Sequence, residues 1–266
     1  METSAQASIL TIKPRGPYGD PVGWSVRDAW VGAVLMVVLL FLTALAAGLL
    51  LRSELLPSAL KRYSITVEFA APIAVELANL APVLAILAWR RAGLRTLGFR
   101  GFDVKALALG CGLTAVTYMV IMVYGATLTA FHIQTQGEKV FEILRTAKAP
   151  LGYVVAAVIA APLAEETFFR GFLFQGLRQK YGWNIAALLS SSLFAAMHLE
   201  LAALLPTFLL GYLLAFVYHR SNSLWPGIIL HFLVNSFAMC LVLALLPFVP
   251  KQPEVYSFVM SLAWLS

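Results

Sequence analysis

Long uncharged apolar runs constrain this chain more than any other feature of its sequence. Residues 29–51 contain no charged side chain, and they are bounded by Arg27 and Asp28 on one side and by Arg52 on the other. About 20 apolar residues are enough for a helix to cross the hydrocarbon core of a bilayer. The run therefore predicts a transmembrane helix close to the N-terminus.

The composition extends this interpretation to the whole chain. Hydrophobic residues make up 61% of the sequence and charged residues only 12%, whereas soluble domains contain about 25% charged residues. So few charges cannot cover a water-facing surface, which excludes an all-soluble enzyme and a disordered chain. A nucleic-acid-binding protein is excluded too, despite the net charge of +6. We expect an all-α, polytopic membrane helix bundle whose surroundings are the lipid bilayer.

Seven apolar segments are predicted to cross the membrane, with eight as the alternative count if a further segment is re-entrant. The segments are residues 29–51, 65–89, 106–130, 151 to about 181, 183–198, 201–218 and 225–246. They define one transmembrane domain, residues 27–246, between an N-terminal tail (1–26) and a short interfacial C-terminal tail (247–266).

The positions of the basic residues predict the orientation of the chain. Lys and Arg collect in cytoplasmic loops, and they are more numerous in the loops on the N-terminal side of the predicted spans. We therefore expect a multi-pass protein of the plasma membrane with a cytoplasmic N-terminus.

The first polar motif inside a span contains three charged residues, Glu165, Glu166 and Arg170. An ionisable group at the centre of a membrane helix costs about 2.5–3.5 kcal/mol, so each such group is a candidate functional residue. Glu166 and Arg170 are four residues apart and are predicted to pair on one helix face. Glu165 points about 100° away from this pair. The alternative is a helix-end charge cluster near the membrane surface.

Two further motifs place polar residues on later spans. Phe194 and His198 form an F-x-x-x-H motif at the end of the fifth span, where His198 alone could equally anchor the helix at the interface. His231 and Asn235 share one face of the seventh span and indicate either a lined cavity or hydrogen bonding between helices.

Glu76 and Asn79 share a face of the second span. They could line the same cavity as the three motifs, or they could hydrogen-bond a neighbouring helix.

One carboxylate, two imidazoles and one amide are the groups of a hydrolytic water site. A carboxylate kept out of bulk water can act as a general base on a bound water, and a histidine can hold that water. A second histidine and an asparagine can donate hydrogen bonds to the oxyanion of a tetrahedral intermediate. The sequence contains no H-E-x-x-H and no G-x-S-x-G motif. Its three aspartates, Asp20, Asp28 and Asp103, lie outside the spans, which excludes a two-aspartate site.

The three motifs, E-E-x-x-x-R, F-x-x-x-H and H-x-x-x-N, resemble in their order those of the CPBP family. These are the CAAX-protease and bacteriocin-processing (Abi) intramembrane endopeptidases, which include the type II CAAX prenyl endopeptidases. The resemblance covers about residues 151–246. Together with the L-G-F-R sequence at residues 97–100, it defines a CPBP-like core at about 97–246.

The resemblance implies an all-helical core whose active-site cavity opens to the cytoplasmic side. Glu165 and His198 would activate the water, and His231 and Asn235 would stabilise the oxyanion. Glu166, Arg170 and Phe194 would support them. The family has been regarded both as metal-independent glutamate proteases and as metalloproteases. The expected cofactor is thus either none or a divalent metal such as zinc, with Glu165, His198 and His231 as candidate ligands.

The expected function is that of an intramembrane endopeptidase. It would hydrolyse a peptide bond of a membrane-bound peptide or protein, with a prenylated CAAX-like protein as one candidate substrate. A first alternative is a non-proteolytic bacteriocin-immunity or scaffold protein that binds a peptide without cutting it. A second is a proton-coupled transporter that uses Glu76 and Glu165, against which the lack of an inverted repeat argues.

Overall fold

The described part of the chain is helical throughout. The computed structural model describes residues 19–51, 64–131, 133 and 136–247, and within these ranges no strand forms. The predicted C-terminal tail lies outside the described residues except for residue 247, and the predicted N-terminal tail lies outside them up to residue 18.

The first five helices, α1 to α5, are Val26–Leu51, Ser64–Ala78, Ala81–Arg90, Val104–Ala130 and Gln136–Thr146. The long helical run Pro150–Met197 follows. It consists of α6 (Pro150–Val155), a π-helical turn (Ala156–Ala160), α7 (Ala161–Glu165), a π-helical segment (Glu166–Phe174) and α8 (Gln175–Met197). The last two helices are α9 (Leu204–Ser221) and α10 (Trp225–Leu245).

The chain is an integral membrane protein. Within the described residues, five helical runs are long and apolar enough to cross a bilayer: Val26–Ala46, Ile65–Arg90, Val104–Ala130, Pro150–Met197 and Trp225–Leu245. Large apolar side chains such as Phe41, Met119 and Val123 lie exposed on the outer faces of these helices. Such exposure suits a lipid environment, since hydrocarbon tails are as apolar as the side chains.

The predicted count of seven spans is only partly supported. All seven predicted segments are helical in the structure, but the fourth and fifth belong to the single run Pro150–Met197. The sixth is α9, which is not among the five runs; it is a short helix whose last turn carries His219 and Arg220. The described residues therefore contain five candidate crossings, and the predicted count of seven or eight is not confirmed.

The long run folds back on itself at Gly182, where the predicted fourth and fifth segments meet. Gly182 has a φ of 74° and a ψ of 168°, which interrupts the helical backbone. Phe169 and Phe194 lie at nearly equal distances from Gly182 along the chain, and their ring centroids are 5.0 Å apart. The two arms of the run therefore form an antiparallel hairpin.

The second predicted span is broken at Asn79 and Leu80, between α2 and α3. Pro82 stands at the start of α3 and has no N–H to donate to the carbonyl of Ala78, so the helix cannot continue through this point. Non-helical backbone at membrane depth is tolerated where it is buried in protein or lines a cavity. The break accordingly indicates that a cavity lies next to it.

Close backbone contacts hold α1 and α2 against the long run. An added Cβ on Gly152 would lie 2.6 Å from the Cα of Phe69, so α2 crosses α6 with almost no side chain between them. Just before α1, the Trp24 indole N–H donates to the carbonyl of Phe172 at 3.1 Å, and the two rings stack. These contacts bring α1 and α2 to the part of the run that carries Glu165.

Candidate active site

The three sequence motifs converge on one cavity of about 230 Å³ inside the bundle. Glu165 comes from the end of α7, His198 from the end of α8, and His231 and Asn235 from α10. The cavity is completed by apolar and polar side chains of α1, α2 and the long run: Met36, Leu40, Glu76, Asn79, Ala157, Ala161, Phe168, Phe169, Phe194 and Met197. The four residues predicted to act in hydrolysis therefore lie around a single space.

The adjacent carboxylates Glu165 and Glu166 have different environments. The Glu165 side chain is 20% exposed and lines the cavity, whereas the Glu166 side chain is 1% exposed. Glu165 Oε2 is 3.8 Å from His231 Nε2, which is longer than a direct hydrogen bond. Glu165 is thus the carboxylate that a substrate or water entering the cavity would meet.

Glu166 is fixed by two partners that share one of its oxygens. Its Oε1 accepts a hydrogen bond from Arg170 Nη1 at 2.7 Å and lies 3.2 Å from His231 Nδ1. Arg170 Nη2 also donates to the carbonyl of Gly211 on α9 at 3.0 Å. The ion pair predicted from the i,i+4 spacing is therefore present, and it connects the long run to both α9 and α10.

The contact with Glu166 orients the imidazole of His231. Because an ionised carboxylate only accepts hydrogen bonds, the proton between the two groups belongs to His231 Nδ1. The other ring nitrogen, Nε2, then faces Glu165 and the cavity. This arrangement resembles the carboxylate–histidine pairs in which a buried acid sets the tautomer and orientation of the ring.

His198 is oriented by the backbone of its own helix. Its Nδ1 is 2.8 Å from the carbonyl oxygen of Phe194, and since a carbonyl only accepts, Nδ1 carries the proton. In the neutral ring, Nε2 is then an acceptor. The α8 helix ends directly afterwards, because Leu199 adopts a left-handed φ of 53°.

Phe194 packs against three of the polar site residues. Its ring makes edge contacts with His198, at a centroid distance of 4.9 Å, and with His231, at 6.0 Å. The guanidinium carbon of Arg170 lies over the same ring at 4.6 Å. Phe194 therefore separates the two imidazoles and holds both in place.

Asn235 is held by a backbone carbonyl that the long run leaves free. Its Nδ2 donates to the carbonyl of Ala157 at 2.8 Å. In the π-helical turn the N–H of Ala161 bonds to the carbonyl of Ala156, and the next residue, Pro162, has no N–H to give to Ala157. The amide of Asn235 takes the place of that missing donor, and its second N–H remains for another acceptor.

Glu76 and Asn79 line the same cavity as the motif residues. Of the two alternatives that the sequence left open, the structure places this pair at the cavity. The side chains hydrogen-bond each other. They reach the cavity because α2 ends at Ala78 and the chain turns there.

Sequence reasoning missed several residues that allow these contacts. An added Cβ on Gly227 of α10 would lie 3.0 Å from Glu166 Oε2, and one on Gly211 of α9 would lie 3.3 Å from Arg170 Nη2. Both glycines let a helix backbone approach the buried ion pair. The signal in the sequence was a single glycine inside an apolar helix, which does not reveal its partner.

Glu165, His198 and His231 are the three candidate metal ligands. Among the residues that the structure describes, no three His, Cys, Asp or Glu side chains come together as a group that could hold a metal ion. Glu165 and His231 approach each other, and the Nδ1 contacts of His198 with Phe194 and of His231 with Glu166 leave the Nε2 atom of each ring as its potential ligand atom. As arranged, the three side chains do not form such a group.

The arrangement supplies the elements of water-mediated acyl cleavage. Glu165 provides a basic oxygen at the cavity, and His198 an acceptor nitrogen. Asn235 provides an N–H, while His231 presents Nε2 to the same space. A helical membrane bundle with these groups around one cavity has the make-up of an intramembrane hydrolase site.

Comparison with known proteins identifies the same part of the chain. Residues 147–237 match the family described as type II CAAX prenyl endopeptidase, Rce1-like. This segment contains all three motifs and both arms of the hairpin at Gly182. The resemblance predicted from the motifs is confirmed over this segment.

Two relatives are similar to this chain over part of their length. The chain is 31% identical over 113 residues to YdiL of Bacillus subtilis, described as a candidate membrane peptidase, which covers 42% of this chain and 46% of YdiL. It is 34% identical over 86 residues to YxdF of Lactococcus lactis, covering 32% of this chain and 46% of YxdF. The matches thus span less than half of either relative. No solved structure matches the chain.

Proposed function

We propose that this protein is an intramembrane endopeptidase that hydrolyses a peptide bond in a membrane-associated protein or peptide. The observation that carries the proposal is the convergence of Glu165, His198, His231 and Asn235 on one cavity of about 230 Å³. The family match over residues 147–237 and the relation to a candidate membrane peptidase support the same reaction class.

In the proposed reaction, Glu165 removes a proton from a water molecule that His198 holds through Nε2. The resulting hydroxide attacks the carbonyl carbon of the scissile peptide bond, and the carbonyl oxygen becomes an oxyanion. Asn235 donates its second N–H to this oxyanion. When His231 carries both ring protons, Nδ1–H donates to Glu166 and Nε2–H donates to the oxyanion.

Collapse of the tetrahedral intermediate completes the cycle. The carbon–nitrogen bond breaks, and Glu165 delivers the proton that it removed from water to the leaving amine nitrogen. Glu165 is then ionised again, and both product termini leave the cavity. Three of these groups are held in position by the contacts described above. The Ala157 carbonyl holds Asn235, Glu166 holds His231, and the Phe194 carbonyl holds His198.

The proposal includes a setting for this reaction. The N-terminus would lie in the cytoplasm, because Lys and Arg are more numerous in the loops on its side. The cavity would then open toward the cytoplasmic side of the plasma membrane. A prenylated CAAX-like protein is the first substrate to test, because the matching family is described by that activity.

The test is cleavage by the purified protein in lipid nanodiscs. Membrane-anchored peptides with and without a prenylated cysteine are incubated with the protein, and mass spectrometry identifies the products. Glu165→Gln should lower kcat by a factor of about 10²–10⁴, the usual contribution of a general base. Asn235→Ala should lower it by about 10²–10³, as expected for an oxyanion donor. Glu142→Gln, an exposed carboxylate on α5, is the matched control and should keep full activity.

The same variants separate cleavage from simple binding. If the protein only sequesters a peptide, as an immunity or scaffold protein would, Glu165→Gln keeps both binding and any protective phenotype. Full cleavage by Glu165→Gln would refute the assigned base.

A further inference from the structure

One wall of the cavity comes from a part of the chain outside the family match. Glu76 and Asn79 belong to the second membrane run, Ile65–Arg90, whereas the match covers residues 147–237. Neither residue is needed for the water attack described above. Both nevertheless face the space in which a substrate must bind.

This wall offers hydrogen-bond acceptors. Asn79 is 8% exposed, and its Oδ1 has no hydrogen-bond partner among the described residues. Its amide nitrogen is directed to Glu76, with which it shares a hydrogen bond. Asn79 Oδ1 therefore needs a hydrogen-bond donor from outside this wall.

Carboxyl groups line the cavity as well. They belong to Glu76 and Glu165. Among the described residues, no Lys or Arg side chain lines the cavity. The nearby Arg170 is already paired with Glu166. A substrate carboxylate at this wall would be repelled, and an apolar side chain would leave Glu76 and Asn79 without donors.

We propose that Glu76 and Asn79 form a subsite for a lysine or arginine side chain of the substrate, next to the scissile bond. The cationic group donates to the Glu76 carboxylate and to Asn79 Oδ1, and its charge offsets that of the two carboxylates. This inference rests on the proposed endopeptidase function and adds the class of substrate that the site selects. The protein would then prefer substrates that carry a basic residue near the cleavage site.

The test uses a set of membrane-anchored peptides that differ at one position. Each position within three residues of the scissile bond is occupied in turn by Lys, Arg, Gln, norleucine or Glu. At one of these positions the wild-type protein should cleave the Lys and Arg peptides with a kcat/KM at least about tenfold above that of the Gln peptide. The Glu peptide should be cleaved least.

The variant Glu76→Gln should remove this preference selectively. Its KM for the Lys peptide should rise about tenfold with little change in kcat, while the Gln and norleucine peptides keep their wild-type values within about twofold. Asn79→Leu should act in the same direction. Glu76→Asp keeps the charge on a shorter side chain and should give an intermediate preference. This split between KM and kcat would not follow from a general loss of structure.

The outcomes distinguish this inference from the proposed function. If the wild-type protein cleaves none of the peptides, the endopeptidase proposal itself fails. If it cleaves them without preferring a basic residue, or if Glu76→Gln and Asn79→Leu keep the preference, the subsite inference is wrong and the activity stands. If Glu76→Gln does not accumulate in the membrane, Glu76→Asp and Asn79→Leu are compared with the control Glu142→Gln. Wild-type preference for the Lys and Arg peptides in both variants would then show that the subsite inference is wrong.

Discussion

His231 Nδ1 lies 3.2 Å from Glu166 Oε1, the same oxygen that receives the hydrogen bond of Arg170. One buried carboxylate thus neutralises a guanidinium of the long run and orients an imidazole of α10. The ion pair and the orientation of the site are therefore parts of a single network, and a change in one should be measurable in the other.

Glu166→Gln should destabilise the protein strongly, because it leaves the charge of Arg170 buried without a partner. Breaking a buried ion pair from one side costs about 3–5 kcal/mol. Thermal unfolding of the detergent-solubilised variant should show this loss, and the double variant Glu166→Gln/Arg170→Gln should recover part of it without recovering cleavage. Wild-type stability in the single variant would contradict the network.

Pro162→Ala should weaken the positioning of Asn235. The new N–H at residue 162 can donate to the carbonyl of Ala157, which now accepts from Asn235 Nδ2. We expect kcat to fall by about tenfold with little change in KM, which is less than the factor of about 10²–10³ for complete loss of an oxyanion donor. Adding Asn235→Ala should then cost less than it does in the wild-type chain. Pro150→Ala, in the first turn of the run, is the control, since an N–H there is unsatisfied in any case. Additive effects of Pro162→Ala and Asn235→Ala would count against this role.

Gly227→Ala should displace Glu166, because the added Cβ would lie 3.0 Å from its Oε2. Overpacking of this kind costs about 1–3 kcal/mol. Cleavage should fall together with the unfolding midpoint, since Glu166 orients His231. Gly112→Ala on α4 is the matched control, because a Cβ there meets no atom within 4 Å. An unchanged unfolding midpoint in Gly227→Ala would show that α10 can move away from Glu166 without loss of stability.

Chelation should leave cleavage intact. Among the described residues, no three potential ligands come together as a metal-binding group. We expect full activity after dialysis against a chelator and less than one zinc ion per chain by elemental analysis. Stoichiometric zinc that is lost in His198→Ala and His231→Ala would instead assign these residues as ligands.

Gly182→Ala tests the turn between the two arms of the hairpin. Gly182 has a φ of 74° and a ψ of 168°, a conformation that is essentially restricted to glycine and costs a residue with a Cβ about 1–3 kcal/mol. The variant should unfold at a lower temperature. Gly112→Ala serves again as the control because its helix should gain slightly from alanine.

The helical architecture and the membership of the site could largely be predicted from the sequence. Apolar length identified the segments that became helices, and the position of Gly182 between two apolar stretches gave the boundary at which the long run turns. The expense of polar groups in lipid singled out Glu165, His198, His231 and Asn235, which the structure brings to one cavity.

The finer features could not be predicted, because they depend on the backbone. The π-helical turn Ala156–Ala160 has an ordinary apolar composition, so nothing in its side chains indicates that the carbonyl of Ala157 is free. The sequence left open whether Glu76 lines the cavity, because the position of α2 depends on packing such as the contact of Gly152 with Phe69. The predicted number of crossings is not confirmed, because apolar length alone does not show how often the folded-back run Pro150–Met197 crosses the membrane.

The hairpin at Gly182 also restricts how the length of this chain can vary. The arms from Glu165 to Gly182 and from Gly182 to His198 are nearly equal, and the two motifs meet only when both arms keep their register. Removing one residue from either arm would turn its motif by about 100° and shift it by about 1.5 Å. Insertions and deletions should thus be far more damaging between these motifs than most single substitutions, although most of the intervening residues take no part in the proposed chemistry.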